Sequence, residues 1–291
     1  MSSYTQNIVT IGNIDGVSLQ GTFYRDHEIQ SYKGTILYLH GGGMIFGQRD
    51  DLPELYLSLL TQHGYGVLAV DYLLAPESRL PRIMESVQQS IDWFVQQGKE
   101  KLNIDSAFFY LMGRSAGAYL ALYHAAQNRS VSGIIALYGY YTLSEASFHV
   151  PSRHFLSYPP VSESTMQSLV GKHPVTASHS DQRYLLYLGL RQQGKWLSAL
   201  TSDPAELKDY SLTKTQFESF PPTFLATADQ DPDVPSRQSK MAHKWIPSSE
   251  LHIVASDEHD FDRTQQDSLG IEIYRKMVVW LDALNKSQLQ T

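Results

Sequence analysis

Short apolar or alternating segments recur along the chain with the spacing typical of β-strands. The strand candidates are residues 8–11, 18–24, 35–39, 66–70, 107–112, 133–137, 223–226 and 251–254. Helical spacing follows Pro81, where the apolar positions are Ile83, Val87, Ile91 and Phe94. A second helical pattern near the C-terminus has its apolar positions at Ile271, Tyr274, Val278 and Leu281.

Strand and helix candidates alternate from about residue 35 onward. Such alternation is typical of a mainly parallel sheet with helices on both faces. The first two strand candidates, joined near residues 13–16, are expected to form an antiparallel hairpin at the edge of the sheet. The predicted fold class is therefore α/β, with a mainly parallel eight-stranded sheet.

The alternation is interrupted between about residues 138 and 217. This segment is rich in aromatic residues and histidines and has one helix-like part, residues 181–198. We interpret it as a cap or lid inserted into the domain, because a segment of this length without strands needs its own explanation. The interior has no Gly/Ser-rich or Pro-rich linker, so residues 1–291 are predicted to form one domain.

Composition limits the classes of function. Of the 291 residues, 42% are hydrophobic and 18% are charged, which provides enough apolar side chains for a large core. The net charge of −7 offers no general attraction for nucleic acid, which is not expected as a partner. The chain has no cysteine, no recognisable signal segment and no apolar run of membrane-spanning length. These features predict a cytoplasmic protein without disulfides or a membrane span.

Residues 113–117 read Gly-Arg-Ser-Ala-Gly, between an apolar run and a helix-like stretch. This is the strand–turn–helix context that a nucleophile elbow requires, because the tight turn lifts the serine hydroxyl above the sheet at a helix N-terminus. Gly113 and Gly117 would serve a steric purpose, since such a turn accepts only small residues around the serine. Ser115 is therefore the predicted nucleophile.

A second motif, His40-Gly41-Gly42-Gly43, follows the strand candidate 35–39. Consecutive glycines let backbone amides approach a substrate oxygen with no side chain in the way. In an oxyanion hole each such donor supplies about 3 kcal/mol of transition-state stabilisation. A flexible turn is the alternative for this loop taken alone, but its position upstream of the serine motif, at another strand end, favours the catalytic interpretation.

The acid and the base of such a site should follow later strands, because the active site of an open α/β sheet lies beyond the carboxyl ends of its strands. His259 lies in a loop just after the last strand candidate, whereas Asp229, Asp231 and Asp233 all follow the strand before it. Pro232 biases Asp231 towards an extended conformation that would project its carboxylate from the loop. Asp233 is expected to cap a helix or to lie at the surface. Asp231 and His259 are the predicted acid and base.

Several motifs together resemble the hormone-sensitive-lipase-like group of α/β-hydrolases, which are mainly bacterial carboxylesterases and lipases. Besides the two glycine motifs, Asp-Tyr-Leu-Leu-Ala-Pro-Glu at residues 71–77 is similar to the group's Asp-Tyr-Arg-Leu-Ala-Pro-Glu. Residues 259–261 are similar to its His-x-Phe, and residues 227–232 to its Thr-Ala-x-x-Asp-Pro. The resemblance covers residues 35 to 261, apart from the insertion. It implies the α/β-hydrolase fold, Asp231 as the catalytic acid, and an oxyanion hole formed by the amides of Gly42, Gly43 and Ala116.

The same resemblance implies structural roles for Asp71 and Glu77, which would organise a loop beneath the site. Three residues depart from the group's pattern: Arg114 stands where Asp is usual, Ala118 where a third glycine is common, and Leu73 where Arg is usual. None of them removes a catalytic group. The chain before His40 is too short for the helical N-terminal cap of many members, so the lid must come largely from residues 138–217.

The insertion supplies aromatic rings that could line an apolar acyl or alcohol pocket or form the core of the lid, and the sequence leaves both alternatives open for each ring. They are Tyr138, Tyr140, Tyr141, Phe148, Phe155, Tyr158, Tyr184, Tyr187 and Trp196. The insertion also contains histidines without ligand spacing: His149, His154, His173 and His179. We interpret the acidic cluster as part of a solvated loop rather than as a metal site; its residues are Asp257, Glu258, Asp260 and Asp262. We predict no metal and no cofactor.

The predicted function is that of a carboxylesterase-type serine hydrolase acting on carboxylic esters of small acyl groups. Short acyl chains are expected because a compact lid without an N-terminal cap would not enclose a long one. The expected partner is a small-molecule ester, and the oligomeric state, monomer or homodimer, is left open. A peptidase or amidase on the same fold is one alternative, and a non-catalytic receptor derived from a hydrolase is another.

Overall fold

One eight-stranded sheet organises the protein in the computed structural model, which describes residues 4–29, 31–106, 108–128, 130–177 and 180–290. Its strands are β1 (Tyr4–Ile14), β2 (Val17–Asp26), β3 (Gly34–Leu39), β4 (Tyr65–Val70), β5 (Phe109–Arg114), β6 (Gly133–Leu137), β7 (Thr223–Ala228) and β8 (Ser249–Val254). The order across the sheet is β1-β2-β4-β3-β5-β6-β7-β8. Strands β3 to β8 run parallel, and β1 and β2 pair antiparallel at one edge. The predicted α/β class and mainly parallel sheet are confirmed.

Helices cover both faces of this sheet. The α-helices of the described residues are α1 (Glu54–Gln62), α2 (Leu80–Trp93), α3 (Lys99–Lys101), α4 (Ala116–Ala125), α5 (Glu163–Ser168), α6 (Ser180–Gln193), α7 (Trp196–Leu200), α8 (Lys214–Phe217), α9 (Arg237–Trp245), α10 (Phe261–Thr264) and α11 (Ile271–Gln288). Short 3₁₀ segments lie at Arg49–Asp51, Ala146–Phe148, Phe155–Ser157 and Pro204–Lys208, and π-helical turns at Phe94–Gly98 and Gln266–Gly270. No described helix is both long and apolar enough to cross a lipid bilayer.

The antiparallel hairpin at the sheet edge turns at Asp15 and Gly16. Both residues have positive φ angles, 52° and 81°. Two consecutive residues with positive φ make the type of two-residue turn whose twist matches that of paired strands. Asp-Gly is a favoured pair for that turn, so the local sequence accounts for the hairpin.

The central strands are buried along their whole length, as expected for parallel strands between two helical layers. Apolar side chains of α1 and α11 pack on one face of the sheet. Those of α2, α4 and α9 pack on the other face, together with residues from the β6–β7 connection. The helical pattern predicted after Pro81 corresponds to α2, whose residues Ile83, Val87 and Ile91 are fully or almost fully buried.

Strand β6 ends at Leu137 and β7 begins at Thr223. The connection between them contains α5, α6, α7 and α8 and is called the cap below. The helical stretch predicted over residues 181–198 is divided into α6 and α7 at Gly194, where φ is +66°. A Cβ at Gly194 would also lie 2.8 Å from the backbone of Val150, so both conformation and space require glycine there.

Candidate active site

Ser115 lies at the turn between β5 and α4, above the carboxyl end of the central strand. Its φ of 52° and ψ of −117° are unusual for a residue with a side chain. The turn passes so close to its surroundings that a Cβ at Gly113 would overlap the backbone of Gly117, and a Cβ at Gly117 would overlap the carbonyl oxygen of Leu39. The tight strand–turn–helix geometry therefore requires glycine on both sides of the serine.

Ser115, His259 and Asp231 form a continuous chain of hydrogen bonds. The Nε2 atom of His259 lies 2.8 Å from the Ser115 hydroxyl, and its Nδ1 atom lies 2.7 Å from Oδ2 of Asp231. His259 follows β8 and Asp231 follows β7, so the three side chains meet beyond the carboxyl ends of three parallel strands. The structure thus brings together the three residues that the sequence analysis selected.

The Asp231 carboxylate is fully buried and accepts hydrogen bonds on both oxygens. Its Oδ1 atom accepts from the amides of Asp233, at 2.9 Å, and Val234, at 2.8 Å, which leaves Oδ2 directed at the imidazole. Asp229, in contrast, is exposed and accepts from the amide of Ser256 at 3.0 Å. Of the two carboxylates, only that of Asp231 contacts His259 in the described residues.

The prediction that Asp233 caps a helix or lies at the surface is wrong. Asp233 is buried, and its carboxylate forms an ion pair with Arg191 of the cap at 2.9 Å. It also accepts a hydrogen bond from the hydroxyl of Tyr187, at 2.7 Å. A buried carboxylate needs such partners, and they come from a helix more than 40 residues earlier in the chain.

The environment of His259 acts on its pKa in two directions. Burial disfavours the charged imidazolium and lowers the pKa, but the adjacent Asp231 carboxylate and its hydrogen bond outweigh burial and raise the pKa to about 9. Asp231 therefore stabilises a positively charged imidazole strongly. That is the form His259 would take after accepting a proton from Ser115.

The glycine loop at residues 40–47 lies beside the serine turn. Gly42 and Gly43 have φ angles of +99° and +61°, which residues with side chains rarely adopt. Among the described residues, the amides of Gly42, Gly43 and Ala116 donate to no backbone or side-chain acceptor. The three amides predicted for the oxyanion hole are thus available to a ligand, and their catalytic role stays a prediction.

His40 supports this loop from below. Its ring is fully buried, stacks on Tyr72 with the ring centroids 4.2 Å apart, and has Nδ1 2.7 Å from the carbonyl oxygen of Gly41. Since a carbonyl can only accept, Nδ1 carries the proton of this hydrogen bond. Burial lowers the pKa of His40, which keeps the ring neutral. His40 therefore organises the start of the glycine loop.

A cavity of about 620 Å³ opens above Ser115. One wall is aromatic and comes from the cap and the glycine loop; its rings are Phe46, Phe155, Tyr158, Tyr184 and Tyr187. Charged side chains also line the cavity and include Asp51, Asp257, Glu258, Asp260 and Arg263. The volume is within the range of sites that bind small molecules.

Some of the aromatic rings of the cap line the cavity, and others form the core of the cap. Tyr138, Phe155, Tyr158, Tyr184 and Tyr187 line the cavity. The other rings pack among themselves or against the domain, as Tyr140, Phe148 and Trp196 do in a cluster of edge-to-face contacts. Phe46, which follows the glycine motif by three residues, also lines the cavity and was not predicted from the sequence.

Arg114, the residue before Ser115, is buried beside the candidate site. Its guanidinium pairs with Asp262 at 2.9 Å and donates to the hydroxyl of Tyr138 at 2.7 Å. Tyr138 in turn packs edge-on against the imidazole of His259, with the ring centroids 4.9 Å apart. The prediction that Asp262 belongs to a solvated loop is wrong, because its side chain is fully buried in this network.

The other residues singled out in the sequence have structural surroundings. Asp71 pairs with Arg49 at 2.8 Å, and Glu77 pairs with Arg183 of the cap at 2.5 Å. No group of three or more His, Asp or Glu side chains among the described residues has the arrangement of a metal site. His179 lies outside the described residues, and the absence of a metal stays a prediction.

Comparison with known proteins gives a consistent result. A model of the alpha/beta hydrolase fold family matches residues 36–262. A solved protein of unknown function from Staphylococcus aureus subsp. aureus Mu50 is 31% identical, covers 96% of this chain and 99% of its own, and has a TM-score of 0.87. An alpha/beta hydrolase superfamily protein from Enterococcus faecalis is 30% identical, with coverages of 95% and 98% and a TM-score of 0.83. Carboxyl esterase 2 from Tuber melanosporum is similar in fold, with 19% identity, coverages of 98% and 88%, and a TM-score of 0.70.

Proposed function

This chain belongs to the α/β-hydrolase fold family, and from that premise we propose that it is a serine hydrolase that cleaves carboxylic esters of small acyl groups. The observation that carries the proposal is the hydrogen-bonded chain from Ser115 through His259 to the buried Asp231. Ser115 and His259 line a cavity beside backbone amides that donate to no acceptor in the described part of the chain. This arrangement has the parts that acyl transfer requires: a nucleophile, a base, an orienting acid and donors for an oxyanion.

In the proposed mechanism His259 removes the proton of Ser115 as the hydroxyl oxygen attacks the ester carbonyl. Asp231 holds the imidazole and stabilises its positive charge, while the amides of Gly42, Gly43 and Ala116 bind the negative oxygen of the tetrahedral intermediate. The imidazolium then protonates the leaving alcohol, and an acyl-enzyme remains on Ser115. Water attacks this ester with His259 again as the base, which releases the acid and restores the serine.

The substrate class is proposed from the cavity. Its aromatic lining offers apolar surface to an acyl or alcohol group, and its volume of about 620 Å³ is within the range of sites that bind small molecules. The preference for short acyl chains is proposed because the lid is compact. We expect kcat/KM to be highest for p-nitrophenyl esters with acyl chains of about four carbons or fewer. Higher kcat/KM for the twelve-carbon than for the four-carbon ester would contradict this proposal.

A fluorophosphonate probe tests the reaction class directly, because it reacts only with an activated serine. We expect it to label the wild-type protein, and we expect a folded Ser115→Ala variant to remain unlabelled and to lose activity by roughly 10⁶. Comparable turnover by Ser115→Ala would eliminate the assignment of the nucleophile. Absence of labelling in the folded wild-type protein would favour the non-catalytic receptor.

A peptidase or amidase is the second candidate, and two acidic residues that line the cavity favour it. Asp257 and Glu258 line the cavity, and neither forms an ion pair within the part of the chain that the structure describes. Carboxylates in this position could hold the free amino group of a peptide. Turnover of aminoacyl anilides faster than that of p-nitrophenyl esters would establish this candidate in place of the esterase.

A further inference from the structure

Several side chains of the cap contact the glycine loop, and three of them touch Gly43 or Ile45. The indole nitrogen of Trp196 donates to the carbonyl oxygen of Gly43 at 2.8 Å, and Nε of Arg183 donates to the carbonyl oxygen of Ile45 at 2.8 Å. The ring of Tyr187 occupies the space where a side chain of Gly43 would be, since a Cβ there would overlap the ring. The loop that carries two of the proposed oxyanion donors is therefore held by the cap.

Tyr187 also contacts the loop that carries the acid. Its hydroxyl donates to Oδ2 of Asp233 at 2.7 Å, and the amide of Asp233 donates to Oδ1 of Asp231 at 2.9 Å. Tyr187 is 7% exposed, and Arg191 from the same helix pairs with the other oxygen of Asp233. One buried side chain thus reaches Gly43 with its ring and the Asp231 loop with its hydroxyl.

We propose that Tyr187 is a positioning residue that couples the glycine loop to the Asp231 loop, and that Trp196 holds the glycine loop in the same arrangement. The inference rests on the proposed function, in which both loops must be in place at once. Glycines impose little conformational restriction of their own, so the two amides depend on outside contacts for their direction. Oxyanion donors are effective because they are oriented before the reaction begins.

Loss of this coupling should reduce the rate rather than the affinity. A misplacement of about 1 Å by a residue remote from the chemistry can cost about 10²-fold in rate. Tyr187→Phe keeps the ring on Gly43 and removes only the hydrogen bond to Asp233. Trp196→Phe removes the donor to the Gly43 carbonyl and also shortens a buried ring that packs against Tyr140 and Phe148. We expect each variant to lower kcat by about 10-fold, which is less than the 10²-fold effect of a full displacement, and to change KM by less than about twofold.

Tyr184→Phe is the matched control. Tyr184 lies one turn earlier on α6 and lines the same cavity, and its hydroxyl makes none of the hydrogen bonds that the structure describes. A residue that merely lines the cavity would affect long and short acyl chains differently. Positioning of the amides should instead lower kcat by the same factor for p-nitrophenyl acetate and butyrate, and should weaken binding of a trifluoromethyl ketone by that factor.

The experiment compares these variants with wild type in ester turnover, ketone inhibition and fluorophosphonate labelling. A kcat of Tyr187→Phe equal to that of wild type, or lowered no more than that of Tyr184→Phe, in an active wild-type background would overturn the coupling alone. An effect of Tyr187→Phe that depends on acyl length would assign it to substrate binding instead. A wild-type protein that neither turns over esters nor labels would overturn the proposed function and the coupling with it. If Tyr187→Phe does not fold, Trp196→Phe decides the question by the same criteria.

Discussion

Replacing Asp231 with Asn should separate the roles of structure and charge at the site. The Asp231 side chain is fully buried, and its Oδ1 atom accepts amides at 2.9 and 2.8 Å. An Asn carbonyl oxygen can still accept both, so the loop should keep its conformation. The amide group of Asn then faces Nδ1 of His259 as a donor, and the imidazole must carry its proton on Nε2 instead.

An imidazole with its proton on Nε2 cannot accept the proton of Ser115, which lies 2.8 Å away. The variant also loses the negative charge that stabilises the imidazolium. Together these losses should lower kcat by about 10⁴. At about 1.4 kcal/mol per factor of ten, the loss corresponds to about 5.5 kcal/mol of transition-state stabilisation.

The assay is kcat for p-nitrophenyl butyrate with purified, folded variants, and Asp229→Asn is the control. Asp229 follows the same strand, two residues before Asp231, and is exposed. In the described residues its carboxylate accepts one hydrogen bond, from the backbone amide of Ser256. Its replacement should change kcat by less than about threefold, because an Asn oxygen can accept that amide. If Asp229→Asn abolishes activity while Asp231→Asn stays near wild type, the assignment of the acid is wrong.

Three further predictions concern pH, the buried network and the serine turn. Burial lowers the pKa of His259, but Asp231 raises the pKa to about 9. Since the neutral imidazole is the base, kcat/KM should rise with pH, with the midpoint of the rise above pH 6.5. A value of kcat/KM that is constant above pH 6.5 would contradict this. Arg114→Met leaves Asp262 buried without its counter-charge and should lower the free energy of unfolding, measured in urea, by about 3–5 kcal/mol. Arg82→Met removes exposed ion pairs with Asp15 and Glu85 and should change the free energy of unfolding little. Equal effects of the two substitutions would refute the importance of burial. In Gly117→Ala the new Cβ overlaps the carbonyl of Leu39, so kcat should fall at least about 10-fold, while Gly171→Ala, with its nearest neighbour 3.5 Å away, should behave like wild type.

The sheet was predictable because its strands are short, apolar and separated by helical patterns. Burial on both faces gives β4 and β5 continuous apolar sequence, and this signal does not depend on distant contacts. The serine turn and the glycine loop were recognisable for a similar reason. Gly42 and Gly43 have positive φ angles, and a Cβ at Gly113 would overlap the backbone of Gly117, so these requirements arise within the motifs themselves. The contact of Gly117 with Leu39, in contrast, involves a distant strand.

Features that depend on distant partners escaped the sequence analysis. Asp233 resembles a surface residue in its local sequence, and only Arg191 and Tyr187 from the cap make its burial favourable. Asp262 stands in an acidic segment but pairs with a guanidinium 148 residues earlier. Such pairs leave no periodic signal, because burying a charge depends on what folds against it rather than on its neighbours in sequence.

The pairing of Arg114 with Asp262 also constrains how the site can diverge. Arg114 directly precedes the proposed nucleophile, and Asp262 lies three residues after the proposed base. Loss of Arg114 would leave the buried Asp262 carboxylate without its guanidinium partner, whereas loss of Asp262 would leave Arg114 paired only with Asp51, 3.5 Å away. Single substitutions at either position should therefore be disfavoured. We expect the two positions to vary together among homologues, with an acidic residue at 262 wherever arginine occupies 114.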